Sequence, residues 1–291
     1  MRRLSVKEKG EDMGKKIIFL DIDGTFTEPG CNTPPDSAVE AIRKTQERGN
    51  LVFLCTGRNQ GMAAPVMEFG MDGIIASGGG RIISGWGESE EVLYDCPMTE
   101  EQRVRVLTSL EKNGVYRTVE CLHDSFTDES FKEFIAQSAT DANSELLRWR
   151  KQIEENLNIL PMAEYRDQPV YKVIVMSPEK DNILKASREW VDDFHLLLQE
   201  PDRYGIVNGE IVNKNFDKGQ AVLRVCEYFS IPVEDTYGFG DSENDREMLE
   251  TVGTSVCMEN GAASMKEISD VVAPAVTEDG LLKSFGELGL L

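Results

Sequence analysis

Short apolar runs set the frame of the chain. Residues 17–20 (Ile-Ile-Phe-Leu), 51–55 (Leu-Val-Phe-Leu-Cys) and 73–76 (Gly-Ile-Ile-Ala) are continuous rather than alternating. Such runs predict strands buried on both faces, as in a parallel sheet. Between the first two, residues 36–48 carry Ala38, Val39, Ile42 and Thr45 at helical spacing, with Gly49 as a helix stop. Met62 to Phe69 is a second helical segment. Strand, helix, strand, helix, strand predicts a doubly wound α/β sheet.

The pattern then loosens. Gly78, Gly79, Gly80, Gly85 and Gly87 crowd one short stretch, which reads as a crossing point between domains. Thr99 with Gln102 forms a capping box for a helix that closes at Gly114. Beyond it the sequence predicts a strand at 115–121, helical stretches within 128–158, a strand at 170–176 and a helix from Ser177-Pro178 to about Phe194. Strands near 196–199 and 204–212 complete a block that mixes element types without buried runs. The α/β rhythm resumes with a helix from Lys218 to Phe229, a strand at 236–239, a helix over 245–251 and short strands near 255–258 and 270–273. The expectation is therefore a Rossmann-like α/β core, 15–84 with 214–291, carrying an inserted α+β domain at 85–213. Residues 1–14 read as a polar leader, with Met13 an alternative start to Met1.

Composition narrows the class. With 40% hydrophobic and 29% charged residues the chain falls among globular proteins rather than disordered ones. No run approaches the roughly 18 apolar residues of a membrane span. The six cysteines include no C-x-x-C pair, which favours neither zinc nor a disulfide framework and fits reduced thiols in a cytoplasm. A net charge of −21 repels nucleic acid and anionic lipid. It also repels a phosphorylated metabolite, so such a substrate needs a local cation.

Candidate chemistry gathers at strand ends, where ligands bind in open parallel sheets. Asp21-Ile22-Asp23-Gly24-Thr25 follows the first strand, and carboxylates at i and i+2 there can converge on one cation; the bland alternative is an Asp-Gly turn. Thr56-Gly57-Arg58 follows the second and offers a hydroxyl and backbone N–H groups to a phosphate, although Thr-Gly is also an ordinary turn. Lys218 opens a helix and taken alone reads as a surface charge. Gly240-Asp241-Ser242-Glu243-Asn244-Asp245 ends a strand and opens a helix, with more polar groups than a cap requires.

The order of these four motifs resembles that of the haloacid dehalogenase superfamily, and of its Cof-like sugar-phosphate phosphatase branch. The resemblance spans nearly the whole chain and includes Val256-Cys257-Met258-Glu259-Asn260-Gly261-Ala262, Asp270-Val271-Val272-Ala273 and Glu278-Asp279-Gly280. Too few residues separate Asp21 from Thr56 to hold a lid, so the insertion sits between Thr56 and Lys218, where the superfamily carries its class-two caps. The resemblance implies an aspartyl-phosphate enzyme. Asp21 would be the nucleophile and Asp23 the acid and base. Thr56 and Lys218 would hold phosphoryl oxygens, Lys218 also holding Asp21. Asp21, the backbone carbonyl of Asp23 and Asp241 would bind Mg²⁺, with Asp245 in support through water or Lys218. Gly57, Arg58 and Asn244 are candidates for contacting phosphate or substrate. Hard oxygen ligands beside only two histidines, His123 and His195, fit magnesium rather than zinc.

Two features depart from the family pattern: Phe26 stands where leucine is usual, and Ser77-Gly78-Gly79 where Asn-Gly-Ala is common. The expected function is Mg²⁺-dependent hydrolysis of a small phosphorylated metabolite, plausibly a sugar phosphate. The alternatives are a phosphomannomutase-like phosphosugar mutase and a non-enzymatic phosphoaspartate signalling protein; the large insertion speaks against the last. Substrate identity and oligomeric state stay open.

Overall fold

A computed structural model describes residues 14–129, 159–201 and 205–291. The polar leader, apart from Gly14, lies outside them, as does the segment from 130 to 158 in which helical stretches are expected.

Two sheets organise the described residues. The first holds β1 (Ile17–Leu20), β2 (Leu51–Cys55), β3 (Gly73–Ala76), β4 (Arg81–Ser84), β5 (Glu91–Asp95), β12 (Thr236–Gly240), β13 (Thr254–Met258) and β14 (Val271–Ala273). Its order is β14-β13-β12-β1-β2-β3-β4-β5, parallel from β14 to β3 and antiparallel through β4 and β5. Alternate residues of the apolar runs point to opposite faces. Ile18, Leu20, Val52, Leu54 and Ile74 pack under α1 (Asp36–Glu47), α2 (Gln60–Met67) and α8 (Gly280–Glu287). Ile17, Phe19, Phe53 and Ile75 pack under α5 (Lys218–Phe229) and α6 (Arg246–Thr251) on the other side. Both faces are covered, which is why the runs carry no polar alternation. A short α7 (Ala263–Ile268) joins β13 to β14. The architecture is the expected doubly wound α/β core.

The second sheet holds β6 (Tyr116–Cys121), β7 (Ser125–Thr127), β8 (Ile159–Pro161), β9 (Val170–Ser177), β10 (Phe194–Leu198) and β11 (Val207–Asn213) in the order β10-β11-β9-β6-β7-β8. One of its faces, with Val119, Val173, Val175 and Ile211, buries Val106 and Leu110 of α3 (Glu100–Lys112) and Ile183 of α4 (Lys180–Ser187). This is the α+β cap; the chain passes between it and the core before α3 and after β11.

Two expectations need correction. The glycine-rich stretch after β3 is not a crossing between domains. Gly78 and Gly79 adopt positive φ (68° and 112°) and turn the chain back into β4, so the β4–β5 meander extends the first sheet past residue 84, where the sequence places the start of the insertion. The helix expected from Ser177 to Phe194 ends at Ser187. Turns over 188–193 follow, with Trp190 N–H on the Ser187 carbonyl and Asp193 N–H on that of Trp190. Ile183, Trp190 and Phe194 share a core as their spacing implies, but Trp190 reaches it from a turn, its indole N–H donating to Ser109 Oγ at 2.9 Å. No helix among the described residues is long and apolar enough to cross a membrane.

Candidate active site

The strand order reverses at β1, which has β2 on one side and β12 on the other. The crevice beyond their carboxyl ends is where such sheets bind ligands. Asp21 follows β1 and Asp241 follows β12, so residues far apart in sequence share one crevice. Asp21 N–H donates to the Phe239 carbonyl at 3.0 Å, continuing the ladder to the crevice rim. Gly24 allows the close approach of the two loops: a Cβ there would lie 2.2 Å from Asp241 Oδ2, and its φ of +87° is unfavourable to other residues.

Lys218 is the first residue of α5, a poor place for a cation by helix dipole alone. The carboxylates facing it supply the reason. Its buried Nζ donates to Asp21 Oδ1 at 2.8 Å and to Asp245 Oδ1 at 2.5 Å. Burial pulls the ammonium pKa down, but the Asp21 and Asp245 charges outweigh it and leave it above the ordinary lysine value. Asp245 accepts the backbone N–H groups of Asp241 and Ser242 on Oδ2, at 3.0 and 3.1 Å. It therefore ties the Lys218 ammonium to the Asp241 loop.

Asp21, Asp241 and Asp245 each offer an oxygen within 4.8 Å of the others. Asp241 Oδ1 is buried without a hydrogen-bond partner. Burial, then the Asp245 charge, pushes the Asp21 carboxyl up to about 7, against the opposing pull of Lys218. Burial, then the Asp21 and Asp245 charges, pushes that of Asp241 up to about 8. Crowded oxygen donors, one of them orphaned, fit a hard divalent cation.

Asp23 turns the other way. Arg58, fully buried, holds it in a fork, Nε to Oδ2 at 2.9 Å and Nη2 to Oδ1 at 2.7 Å. Asn32 Oδ1 and the Cys31 carbonyl accept from the same guanidinium at 2.7 and 3.2 Å. Arg58, a candidate for contacting substrate, is thus a neighbour of Asp23. Thr56 is buried at the end of β2, its Oγ1 accepting Arg58 N–H at 3.1 Å. Asn244 is exposed on the Asp241 loop, and its Nδ2 comes within 3.7 Å of where a Cβ on Gly57 would stand. The structure thus places the sequence-derived candidates just beyond the carboxyl ends of β1, β2 and β12 and at the start of α5.

The cap contributes residues that no motif marks. Lys172 of β9 donates to the Gly57 carbonyl at 3.3 Å and to Glu210 Oε1 at 2.8 Å, and lies 3.4 Å from Glu120 Oε2. Gly61 N–H donates to the Leu122 carbonyl at 3.0 Å, and Asn59 Nδ2 to Ser125 Oγ at 3.3 Å. These bonds seat the cap on the core. Only strand pairing between distant segments makes the lysine and its carboxylates neighbours, so no local signal could have found them.

A doubly wound core with an aspartate crevice and an inserted α+β cap defines a class of hydrolase, and the comparisons agree. The family profile of haloacid dehalogenase-like hydrolases matches residues 18–285, and the chain belongs to that family. Phosphatase YwpJ of Bacillus subtilis (strain 168) is 25% identical over 286 residues, covering 91% of this chain and 97% of its own. The 5-amino-6-(5-phospho-D-ribitylamino)uracil phosphatase YwtE of the same organism is 25% identical over 286 residues, covering 91% and 95%. Among solved structures, the subclass IIB sugar phosphatase BT4131 superposes with a TM-score of 0.72 at 22% identity, over 95% of this chain and 100% of that one. That last likeness bears on the fold, and the expected Cof-like membership stands.

Proposed function

We propose that this protein is a magnesium-dependent phosphatase that hydrolyses a small phosphorylated metabolite, a sugar phosphate, through an aspartyl-phosphate on Asp21. The observation that carries the reading is the convergence of Asp21, Lys218, Asp241 and Asp245 at the β1–β12 crevice. The names of the phosphatases similar to it support the reaction class.

In the first step an Asp21 carboxylate oxygen forms a bond to phosphorus while the ester P–O bond breaks. The leaving oxygen takes a proton from Asp23. In the second step water attacks phosphorus, its proton returns to Asp23, and the bond to Asp21 breaks to release phosphate. Lys218 holds Asp21 in line and, with the Thr56 hydroxyl and the Gly57 N–H, receives the phosphoryl oxygens. Arg58 orients Asp23, and Asn244 reaches the same loop from the other side. Magnesium bound by Asp21, Asp241 and the Asp23 backbone carbonyl would offset the charge between carboxylate and phosphate.

The test is phosphate release across a panel of phosphorylated metabolites with Mg²⁺ present. Turnover is expected in the wild type and its abolition in Asp21→Asn. Undiminished turnover in that variant refutes the nucleophile, and sugar-phosphate isomerisation without phosphate release would replace hydrolysis by mutase chemistry.

A further inference from the structure

The Gly57–Arg58 peptide is gripped at both ends, and one grip comes from the cap. Lys172 stands in mid-sheet on β9, between β6 and β11. Its neighbours Val173 and Val175 belong to the cap core with α3 and α4, while Lys172 points to the opposite face. Glu120 pairs with it directly across β6, and Glu210 lies on β11 beside it. All three carry ionisable side chains, and Glu120 and Lys172 are buried. Burying an ion cluster between two layers carries a desolvation penalty that apolar packing avoids. A face built only to pack would carry valine and isoleucine, as the other face does.

The geometry shows a use for the ammonium. Lys172 Nζ donates to the Gly57 carbonyl at 3.3 Å, and the N–H at the other end of that planar peptide, that of Arg58, donates to Thr56 Oγ1 at 3.1 Å. Fixing the carbonyl fixes the N–H, and the N–H occupies a lone pair of the Thr56 hydroxyl. A hydroxyl has one proton to give and two lone pairs to receive with. With the N–H on one lone pair, the Thr56 proton is turned away from the Arg58 N–H and is left to give to another acceptor.

We propose that Lys172 is a positioning residue that acts through the Gly57–Arg58 peptide to aim the Thr56 hydroxyl at the phosphoryl group, so that seating the cap completes the phosphate site. The inference rests on the phosphatase reading above. It predicts that Lys172 and Thr56 behave as one unit, whatever the leaving group.

A double-mutant cycle with Lys172→Met and Thr56→Val, each assayed with Mg²⁺ on p-nitrophenyl phosphate and on a hexose phosphate, tests it. Lys172→Met is expected to lower kcat about tenfold on both substrates, with KM changed by less than about twofold, and to have less than about a twofold effect once Thr56 is Val. Equal losses in both backgrounds, a loss confined to the hexose phosphate, or no loss at all would overturn the proposal. Should Lys172→Met fail to fold, Lys172→Gln runs the same cycle, since its amide still faces the carboxylates but ends one bond short of Gly57. A wild type inactive on every phosphomonoester sinks the phosphatase reading and takes the inference with it; an active wild type with an additive cycle sinks the inference alone.

Discussion

Replacing Asp241 by asparagine should make the metal-free protein more stable while removing its activity. Three carboxylates, Asp21, Asp241 and Asp245, share the crevice with the Lys218 ammonium. Asp241 is the one whose Oδ1 lacks a partner. Its carboxyl, ordinarily near 3.9, is pushed up to about 8 by burial and by the neighbouring charges. At about 1.4 kcal/mol for each tenfold change in proton affinity, the upper bound on the strain of keeping it ionised is roughly 6 kcal/mol. The site opens to solvent, and screening brings the expected gain in Asp241→Asn to about 2 kcal/mol.

The direction with pH follows from proton binding. A carboxyl whose folded pKa lies above its unfolded value keeps its proton longer in the fold. Ionisation therefore lowers stability progressively as pH rises from about 4, and the penalty is complete above about 8. Thermal unfolding in EDTA should show a difference between variant and wild type that shrinks away as pH falls below about 4. By pH 8.5 the variant should melt about 5 °C higher, given the usual slope for a chain of this size. Added Mg²⁺ should raise the wild-type midpoint and leave that of the variant nearly still. A variant no more stable than wild type at pH 8.5 in EDTA would show that the crevice is not a strained cation site.

Three further outcomes follow from the contacts. Lys218→Met strands Asp21 and Asp245 as buried charges and should lower stability by roughly 3–5 kcal/mol in urea unfolding at pH 7; a loss below about 1 kcal/mol would place the two carboxylates in solvent. Arg58→Lys keeps the charge but loses the fork on Asp23, and kcat should fall at least about tenfold with the fold retained by circular dichroism. Gly61→Ala puts a Cβ 2.0 Å from the His123 carbonyl oxygen. The cap should then sit less firmly, seen as faster hydrogen exchange over 122–125 and a lower kcat/KM.

The core was legible because its physics is local. A parallel strand covered on both faces favours apolar residues at successive positions, and β1, β2 and β3 fall where the runs of the sequence place them. Asp21 and Thr56 were legible for a related reason: each is the first polar residue after such a run, and Asp241 stands out instead by the cluster of polar residues that follows Gly240. The β4–β5 meander was not, because glycines that make a tight turn look in sequence like glycines that make a linker. β7 and β8, three residues each, are too short to show any period. Ile183 and Trp190 stand seven apart, a helical spacing that a turn also satisfies. The Lys172 cluster depends on the register of β6, β9 and β11, a property of pairings and not of any segment.

The structure also reshapes the electrostatic problem of an acidic protein with an anionic ligand. A chain of net charge −21 needs a positive focus to hold phosphate, and Lys218 and Arg58 are the cations the sequence offers. Both lie at the crevice, yet each is matched there. Lys218 faces two carboxylates, and Arg58 gives its fork to a third. With Asp241 added, carboxylates outnumber these two cations, so on their own they leave the crevice repelling phosphate. On the proposed reading their role would be to set the positions of Asp21 and Asp23. The attraction, on the same reading, would come from a divalent ion among Asp21, Asp241 and their neighbours, and from the Thr56 and Gly57 donors. The same carboxylates that exclude phosphate from the metal-free crevice are the ones that would hold the ion admitting it, which makes phosphate binding conditional on metal.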